Sequence, residues 1–143
     1  MPIVNIEHVA SLYIKWVNLR SVSMRLLNIA SNMIQKLFFE SANFDVMKEL
    51  APNKIGVYIM KLNGEVIFVE KAIEIHAHQK ISGLKKRLQE QWKGAANSTL
   101  EVFRHREQLK VTIKICETEA EAIALEKALI EQHQTIQHGW NLP

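Results

Sequence analysis

The stretch that decides the fold is residues 54–72, KIGVYIMKLNGEVIFVEKA, in which two apolar runs flank an Asn-Gly pair. Asn63 and Gly64 suit a type I′ turn, because both central positions of that turn require a positive φ. A tight antiparallel hairpin is therefore predicted. In the first strand, apolar neighbours alternate with Tyr58, so Tyr58 points to the opposite face. The second strand is apolar throughout residues 66–69 and is predicted to be buried on both faces.

The same hairpin carries a family resemblance. GVY at residues 56–58 and GEVIFVEKA at residues 64–72 resemble the hairpin of the GIY-YIG nuclease superfamily, and the wording is most similar to the N-terminal nuclease domain of the excision-repair incision subunit. That pattern continues with an arginine, a glutamate and an asparagine, and Arg87, Glu126 and Asn141 stand in that order. Fragments that match in sequence order are more specific together than any one of them alone.

The chain departs from the family pattern in the second motif. Phe68 stands where the family has its second tyrosine, and Glu70 stands where it has the following glycine. Phenylalanine has no hydroxyl with which to orient or deprotonate water, and a carboxylate repels phosphate unless it binds a metal ion. Two functions therefore stay open: a divalent-metal-dependent DNA endonuclease, and a catalytically degenerate fold that acts as a nucleic-acid-binding or protein-interaction module.

The bulk composition is typical of one soluble globular domain, with 143 residues, 48% of them hydrophobic and 23% charged. Cys116 is the only cysteine, so an internal disulfide is excluded and a reducing compartment is favoured. The first residues lack a signal-peptide pattern, and no apolar run approaches the length of a membrane span. We expect a cytoplasmic protein with no membrane partner.

The net charge of +3 is distributed unevenly along the chain. Residues 71–114 contain ten Lys and Arg against four Asp and Glu, whereas residues 115–143 contain one against five. Concentrated positive charge is typical of a phosphate-binding surface, although a solvated face that keeps a protein soluble gives the same pattern. With DNA as the expected partner, the predicted nucleic-acid contacts are Lys85, Lys86, Lys93, Arg104 and Arg106.

Periodicity divides the chain into two parts. Residues 1–52 are predicted to form a helical N-terminal extension, because apolar residues there recur at alternating three- and four-residue steps. This stripe is wide enough to pack on the rest of the chain or on a second copy, so a homodimer through the N-terminal helices is one prediction. Asn43 is expected to cap a short helix at residues 44–50. Residues 53–143 form the GIY-YIG-like domain, an α+β fold with a small three-stranded antiparallel sheet flanked by helices.

Three later segments complete this domain. Residues 83–93 place apolar side chains every four residues, which predicts a helix that carries Arg87. Residues 109–116 alternate apolar and polar side chains, which predicts a half-exposed strand with a basic outer face. Thr118 and Glu121 form a capping-box pattern that opens a final helix.

Glu126 lies on an apolar face of this final helix, where a carboxylate needs a metal ion or an arginine beside it. The resemblance implies that Glu126 holds one Mg²⁺ (or Mn²⁺), a hard cation that prefers carboxylate oxygen. It implies that Arg87 braces the phosphate and that Lys71 steadies developing charge. It also implies that Tyr58 orients or deprotonates water and that Asn141 supplies a polar contact. The residues alone allow plainer alternatives: an Arg87–Glu126 ion pair, an ordinary strand aromatic at Tyr58 and a surface lysine at Lys71.

Overall fold

A computed structural model describes Glu7, residues 9–11 and residues 41–143 of the chain. Within these residues the elements are β1 (Ala42–Asn43), α1 (Phe44–Leu50), β2 (Gly56–Leu62), β3 (Glu65–Ala72), α2 (Gly83–Lys93), α3 (Leu100–Arg104), β4 (Lys110–Ile115) and α4 (Glu119–His133). None of these described helices is long and apolar enough to cross a bilayer. The predicted N-terminal stripe, and with it the homodimer, lies almost wholly outside the described residues.

The described strands form one antiparallel sheet in the order β1, β4, β2, β3. The α+β class and a sheet flanked by helices are confirmed, but the predicted number of three strands is wrong. The additional strand is β1, in which Ala42 lies opposite Val111 of β4. Two residues are too few to show an alternating pattern, so no sequence signal marks this strand.

The central hairpin, β2 and β3, turns where the sequence predicts. Asn63 and Gly64 have φ angles of +52° and +83°, which confirms the turn with two positive φ values. The register shifts between Met60 and Lys61, where a bulge bends the hairpin. Ile67, Phe68 and Val69 of β3 are buried, as the apolar run predicts, whereas Val66, the first residue of that run, is only half-buried. The hairpin is thus the centre of the core.

Helices cover both faces of the sheet. One face packs against α1, α2 and α3 through a cluster that includes Tyr58, Met60, Phe68, Phe44 and Leu88. The other face packs against α4 through a second cluster that includes Val57, Ile59, Val69 and Ala122. Tyr58 does lie on the face opposite to Val57, and it is fully buried there.

Gly56, the first residue of the GVY motif, lies where three elements meet. A Cβ at this position would lie 2.3 Å from the Lys114 carbonyl oxygen and 2.7 Å from Cδ1 of Leu84. Because neither neighbour leaves room for a side chain, glycine allows β4 and α2 to approach β2 closely.

Residues 42–51 pack against the sheet, and Phe44 is fully buried. Helix α1 spans the predicted residues, but Asn43 makes no side-chain cap and donates its Nδ2 to Glu7 instead. Glu7 also accepts a 2.8 Å hydrogen bond from Lys110 Nζ of β4. The division of the chain at residue 52 stays a prediction.

The last helix begins with one of the two hydrogen bonds of the predicted capping box. Thr118 Oγ1 accepts a 3.1 Å bond from the backbone N–H of Glu121, while the Glu121 carboxylate accepts from the Glu117 N–H rather than that of Thr118. Helix α2 ends at Gly94, whose φ of +67° is typical of a C-terminal glycine cap. These helix ends fix the positions from which Arg87 and Glu126 reach the sheet.

Candidate active site

The candidate site lies at the free edge of β3, which pairs only with β2 in the described sheet. Consecutive strand residues point to opposite faces, so Glu70 faces α2 and Lys71 faces α4. Arg87 of α2 and Glu126 of α4 reach these two residues from the two sides. The site therefore wraps around the edge of one strand.

A surface cavity of about 170 Å³ opens at this edge, lined by Glu70, Lys71, Ala72, Ile73, Glu74, Gly83, Lys86, Arg87, Glu90 and Glu126. Its charged lining comprises four carboxylates and three cations, so the formal charge is −1. A small cleft with this charge attracts cations. Three of the five predicted catalytic residues, Lys71, Arg87 and Glu126, meet here.

Glu126 is held by Lys71 at two points. The Lys71 Nζ lies 3.1 Å from Oε1, and the Lys71 backbone N–H donates to Oε2 at 2.6 Å. The Glu126 side chain is only 17% exposed. The carboxylate therefore has its cationic partner, but this partner is a lysine, and the Arg87–Glu126 ion pair that the sequence allowed does not form.

Glu70 accepts hydrogen bonds from three side chains. The Tyr58 hydroxyl and Gln91 Nε2, the latter at 3.0 Å, donate to Oε2, and Arg87 Nη2 donates to Oε1 at 3.0 Å. Gln91 is fully buried, donates to the Tyr58 oxygen at 3.1 Å and accepts from the Thr99 N–H at 2.8 Å. The residue that replaces the family glycine is thus the centre of a hydrogen-bond network. Sequence reasoning missed Gln91, although a glutamine four residues after Arg87 beside the leucine stripe was a usable signal.

Arg87 is the cation of this network. Besides Glu70, it donates to Glu90 Oε2 at 3.1 Å and to the Asn97 carbonyl oxygen at 2.7 Å. Burial alone lowers the pKa of Arg87, but the hydrogen bonds and charges of Glu70 and Glu90 outweigh burial and raise that pKa. Three of the five guanidinium N–H groups bond to described residues, which leaves two for a ligand.

Tyr58 lies behind the cavity rather than in its lining. The side chain is fully buried, and its ring centroid lies 6.3 Å from that of Phe68. Its hydroxyl donates to Glu70, so Tyr58 reaches the cavity only through that carboxylate. Phe68 adds no polar atom and belongs to the core.

Asn141 lies on the same strand edge but bonds to backbone. Its Oδ1 accepts from the Val69 N–H at 3.0 Å, and its Nδ2 donates to the Val69 carbonyl at 2.8 Å. The amide thus pairs with β3 as a neighbouring strand does and covers an exposed edge. Asn141 also lines a larger groove of about 810 Å³, which shares Glu70 and Glu126 with the cavity.

Two of the five predicted nucleic-acid contacts lie on the first turns of α2. Lys86 lines the cavity, and its Nζ donates to Gln79 Oε1 at 3.1 Å. Lys85 points away and donates to the Glu49 carbonyl oxygen at 2.6 Å. Burial lowers the pKa of Lys85, and the Glu49 carboxylate offsets part of this effect.

The other three lie beyond α2. Lys93 is exposed at the end of the helix. Arg104 pairs with Glu101 at 3.3 Å, and the Arg106 guanidinium lies over the ring of Trp92, 5.6 Å from its centroid. Of the five predicted contacts, only Lys86 lines the cavity.

A divalent cation at this edge would depend on Glu126. Within the described residues, no three His, Cys, Asp or Glu side chains come together as a metal-binding cluster. Mg²⁺ usually keeps several waters and binds proteins through one or two carboxylates. A single, largely buried carboxylate in a cavity of negative formal charge fits that coordination.

These features define the class: the chain has the GIY-YIG fold, which confirms the resemblance predicted from the hairpin. In particular, it is similar to the GIY-YIG N-terminal endonuclease domain of UvrC from Thermotoga maritima. A tyrosine-to-phenylalanine variant of that domain, bound to the catalytic divalent cation, is 27% identical with a TM-score of 0.53, over 70% of this chain and 96% of its own. The magnesium-bound form is 29% identical with a TM-score of 0.50, over 64% of this chain and 90% of its own. No protein-family model and no curated protein matches the chain.

Proposed function

We propose that the chain is a divalent-metal-dependent endonuclease of the GIY-YIG type that hydrolyses phosphodiester bonds in DNA. The observation that carries this proposal is the meeting of Lys71, Arg87 and Glu126 at one cavity on the edge of β3. The similar UvrC domain binds a catalytic divalent cation, magnesium in one structure, which supports the same chemistry for this chain. The single unpaired thiol of Cys116 supports the cytoplasm as its compartment.

Glu126 is the residue that would hold Mg²⁺ or Mn²⁺. When bound, such a cation stabilises negative charge on phosphate oxygens and lowers the pKa of a bound water. Lys71 bonds to the same carboxylate through Nζ, so the ammonium competes with a cation for Oε1. Its backbone N–H bonds to the other oxygen, so Lys71 stays beside Glu126 whichever partner Oε1 has. The ammonium is then available to contact a phosphate at this edge.

Arg87 is the proposed phosphate brace. Its two remaining N–H groups, on Nε and Nη1, can each donate to a phosphate oxygen. Glu70 orients the guanidinium, but it also neutralises part of the charge that a phosphate would meet. Tyr58 and Gln91 hold Glu70 and are positioning residues. Lys86, on the rim of the same cavity, is a further proposed phosphate contact.

Asn141 is a further proposed positioning residue. Its two bonds to Val69 fix the β3 edge one residue before Glu70 and two before Lys71. The proposed role of Asn141 is therefore to hold the strand that presents both side chains.

The second candidate is a degenerate fold that binds nucleic acid or a protein partner without cutting. Two observations favour it. Phe68 lacks the hydroxyl of the second motif, and the Tyr58 hydroxyl is buried and donates its hydrogen bond to Glu70. Three tyrosine-to-phenylalanine variants of the UvrC domain are each bound to the catalytic divalent cation. Loss of one tyrosine hydroxyl is therefore compatible with cation binding in that protein.

Cleavage of supercoiled plasmid distinguishes the two candidates. The wild-type chain, Glu126→Gln and Glu131→Gln are incubated with Mg²⁺ or Mn²⁺, and nicked and linear products are measured. Glu131 is a matched control because it lies on the same helix and is exposed. The nuclease proposal predicts cutting by the wild type and by Glu131→Gln, and none by Glu126→Gln.

Other outcomes overturn the nuclease proposal. Salt-sensitive retention of DNA without cutting supports the nucleic-acid-binding module. Neither cutting nor retention supports a protein-interaction module. Cutting by Glu126→Gln at the wild-type rate assigns the activity to a contaminant or to another site.

A further inference from the structure

The side chains of the cavity by themselves supply little affinity for a polyanion, because their formal charge is negative overall. Nucleic-acid binding at near-physiological salt depends on cations that neutralise phosphates and release counterions. If the proposed function holds, these cations must lie largely outside the cavity.

Arg106 is a cation with no carboxylate partner among the described residues. Its guanidinium lies 4.1 Å from the ring centroid of Phe103 and 5.6 Å from that of Trp92, and Nη1 donates to the Phe103 carbonyl at 2.8 Å. Stacking on aromatic faces fixes the guanidinium but leaves its charge uncompensated, and most of its in-plane N–H donors remain available. An arginine held in this way is preorganised for a phosphate.

A lysine lies over the same indole, since Lys48 Nζ is 5.3 Å from the Trp92 ring centroid. Lys93, the next residue of α2, points about 100° away from Trp92 and shares a helix face with Lys86, seven residues before it. Of the nearby carboxylates, Glu49 pairs with Lys48 at 2.9 Å, whereas Asp45, three residues before Lys48 on α1, and Glu107 are exposed. Of Lys48 and Arg106, only Arg106 lacks a described carboxylate partner.

The two basic regions lie on different sides of α2. Trp92 follows Arg87 by five residues, which at about 100° per residue turns the side chain by about 140° around the helix axis. We propose that Lys48 and Arg106, which both lie over Trp92, form a backbone-binding surface for duplex DNA on the side of α2 away from Arg87. This surface, the Trp92 patch, rests on the proposed function, since it supplies the affinity that the cavity lacks.

The spacing suits a strand that passes the helix. An α-helix with its side chains is about 10–12 Å across, and phosphates of one strand advance by about 3.4 Å along the duplex axis. A strand bound on the patch would therefore reach the cavity about three to four nucleotides further along.

The test is the salt dependence of binding to a 20-base-pair duplex, measured by fluorescence anisotropy in EDTA so that cutting does not interfere. The variants are Lys48→Gln/Arg106→Gln and Lys48→Gln alone. Lys127→Gln is the matched control, because Lys127 is exposed on α4 over the other face of the sheet. Lys48→Gln leaves the stacked Arg106 in place, so it keeps the test valid if the double variant folds poorly.

The patch predicts that the slope of log K against log salt falls by about two in the double variant and by about one in Lys48→Gln. Lys127→Gln keeps the wild-type slope. Wild-type slopes in both patch variants, or no binding by the wild type, overturn the patch. A parallel plasmid assay separates the two proposals: cutting with unchanged slopes overturns the patch alone, and reduced slopes without cutting overturn the nuclease alone.

Discussion

Replacing Glu70 by alanine is predicted to lower the free energy of unfolding by about 2–4 kcal/mol. The carboxylate accepts from Tyr58, Gln91 and Arg87, and hydrogen bonds to a charged group contribute about 1.5–3 kcal/mol each. The loss is smaller than their sum because the Glu70 side chain is 24% exposed and water can replace part of it. Two of the three donors also keep another acceptor, since Arg87 still donates to Glu90 and Gln91 still donates to the Tyr58 oxygen.

A double-mutant cycle isolates one bond of this network. Urea unfolding is measured for the wild type, Tyr58→Phe, Glu70→Ala and the combined variant, all without divalent cations. We expect a coupling free energy of about 1–2 kcal/mol, because the Tyr58–Glu70 bond is lost in either single variant and cannot be lost twice. Glu70→Ala combined with Gln132→Ala, an exposed change on α4, should show no coupling.

Additive effects of Tyr58→Phe and Glu70→Ala, within about 0.5 kcal/mol, would refute this reasoning. Tyr58 would then not reach the cavity through Glu70, and its proposed positioning role would fail. A stability of Glu70→Ala equal to that of the wild type would show that the carboxylate is not the centre of the network.

Three further predictions concern the frame of the site. Asn141→Ala should lower the free energy of unfolding by about 1–3 kcal/mol in urea, because both hydrogen bonds to Val69 are lost, and an effect under 0.5 kcal/mol would contradict that pairing. Gly56→Ala should cost more than about 2 kcal/mol in the same assay, because its Cβ would lie 2.3 Å from the Lys114 carbonyl oxygen; wild-type stability would show that this approach is looser. Burial, aided by the nearby negative charge of Glu121, raises the pKa of the Cys116 thiol. The thiol therefore contributes to the free energy of unfolding at pH values below its pKa in the unfolded chain, and this contribution is lost as the pH rises through its higher pKa in the folded protein. Alkylation at pH 8 should therefore be much slower in the native protein than in urea, and equal rates would contradict the burial.

Local signals in the sequence determined much of the fold. The Asn63-Gly64 pair requires its turn, and Thr118 marks the start of the last helix, because each acts through backbone geometry within a few residues. The bounds of α1 and α2 are the predicted ones for the same reason. The strand β1 escaped prediction because its pairing with β4 joins positions far apart in sequence.

The sequence predicts which residues form the site, but not which of them pair with each other. The resemblance selected Lys71, Arg87 and Glu126, which do meet, yet the actual ion pairs are Lys71 with Glu126 and Arg87 with Glu70. Which carboxylate meets which cation depends on the alternation of β3 at its free edge and on the helices that cover its two faces. The sequence alone indicates that Glu70 repels phosphate. Its three hydrogen-bond donors lie on β2 and α2, away from Glu70 in the sequence, so local sequence does not show that they bind this carboxylate.

The most direct test of the central claim is a crystal structure of the protein soaked in Mn²⁺, with anomalous scattering used to find the ion. One strong peak is expected beside the Glu126 carboxylate, with Lys71 Nζ moved off Oε1, and no such peak is expected in crystals of Glu126→Gln. An ion bound elsewhere, or an unchanged Lys71–Glu126 pair at saturating Mn²⁺, would contradict the claim.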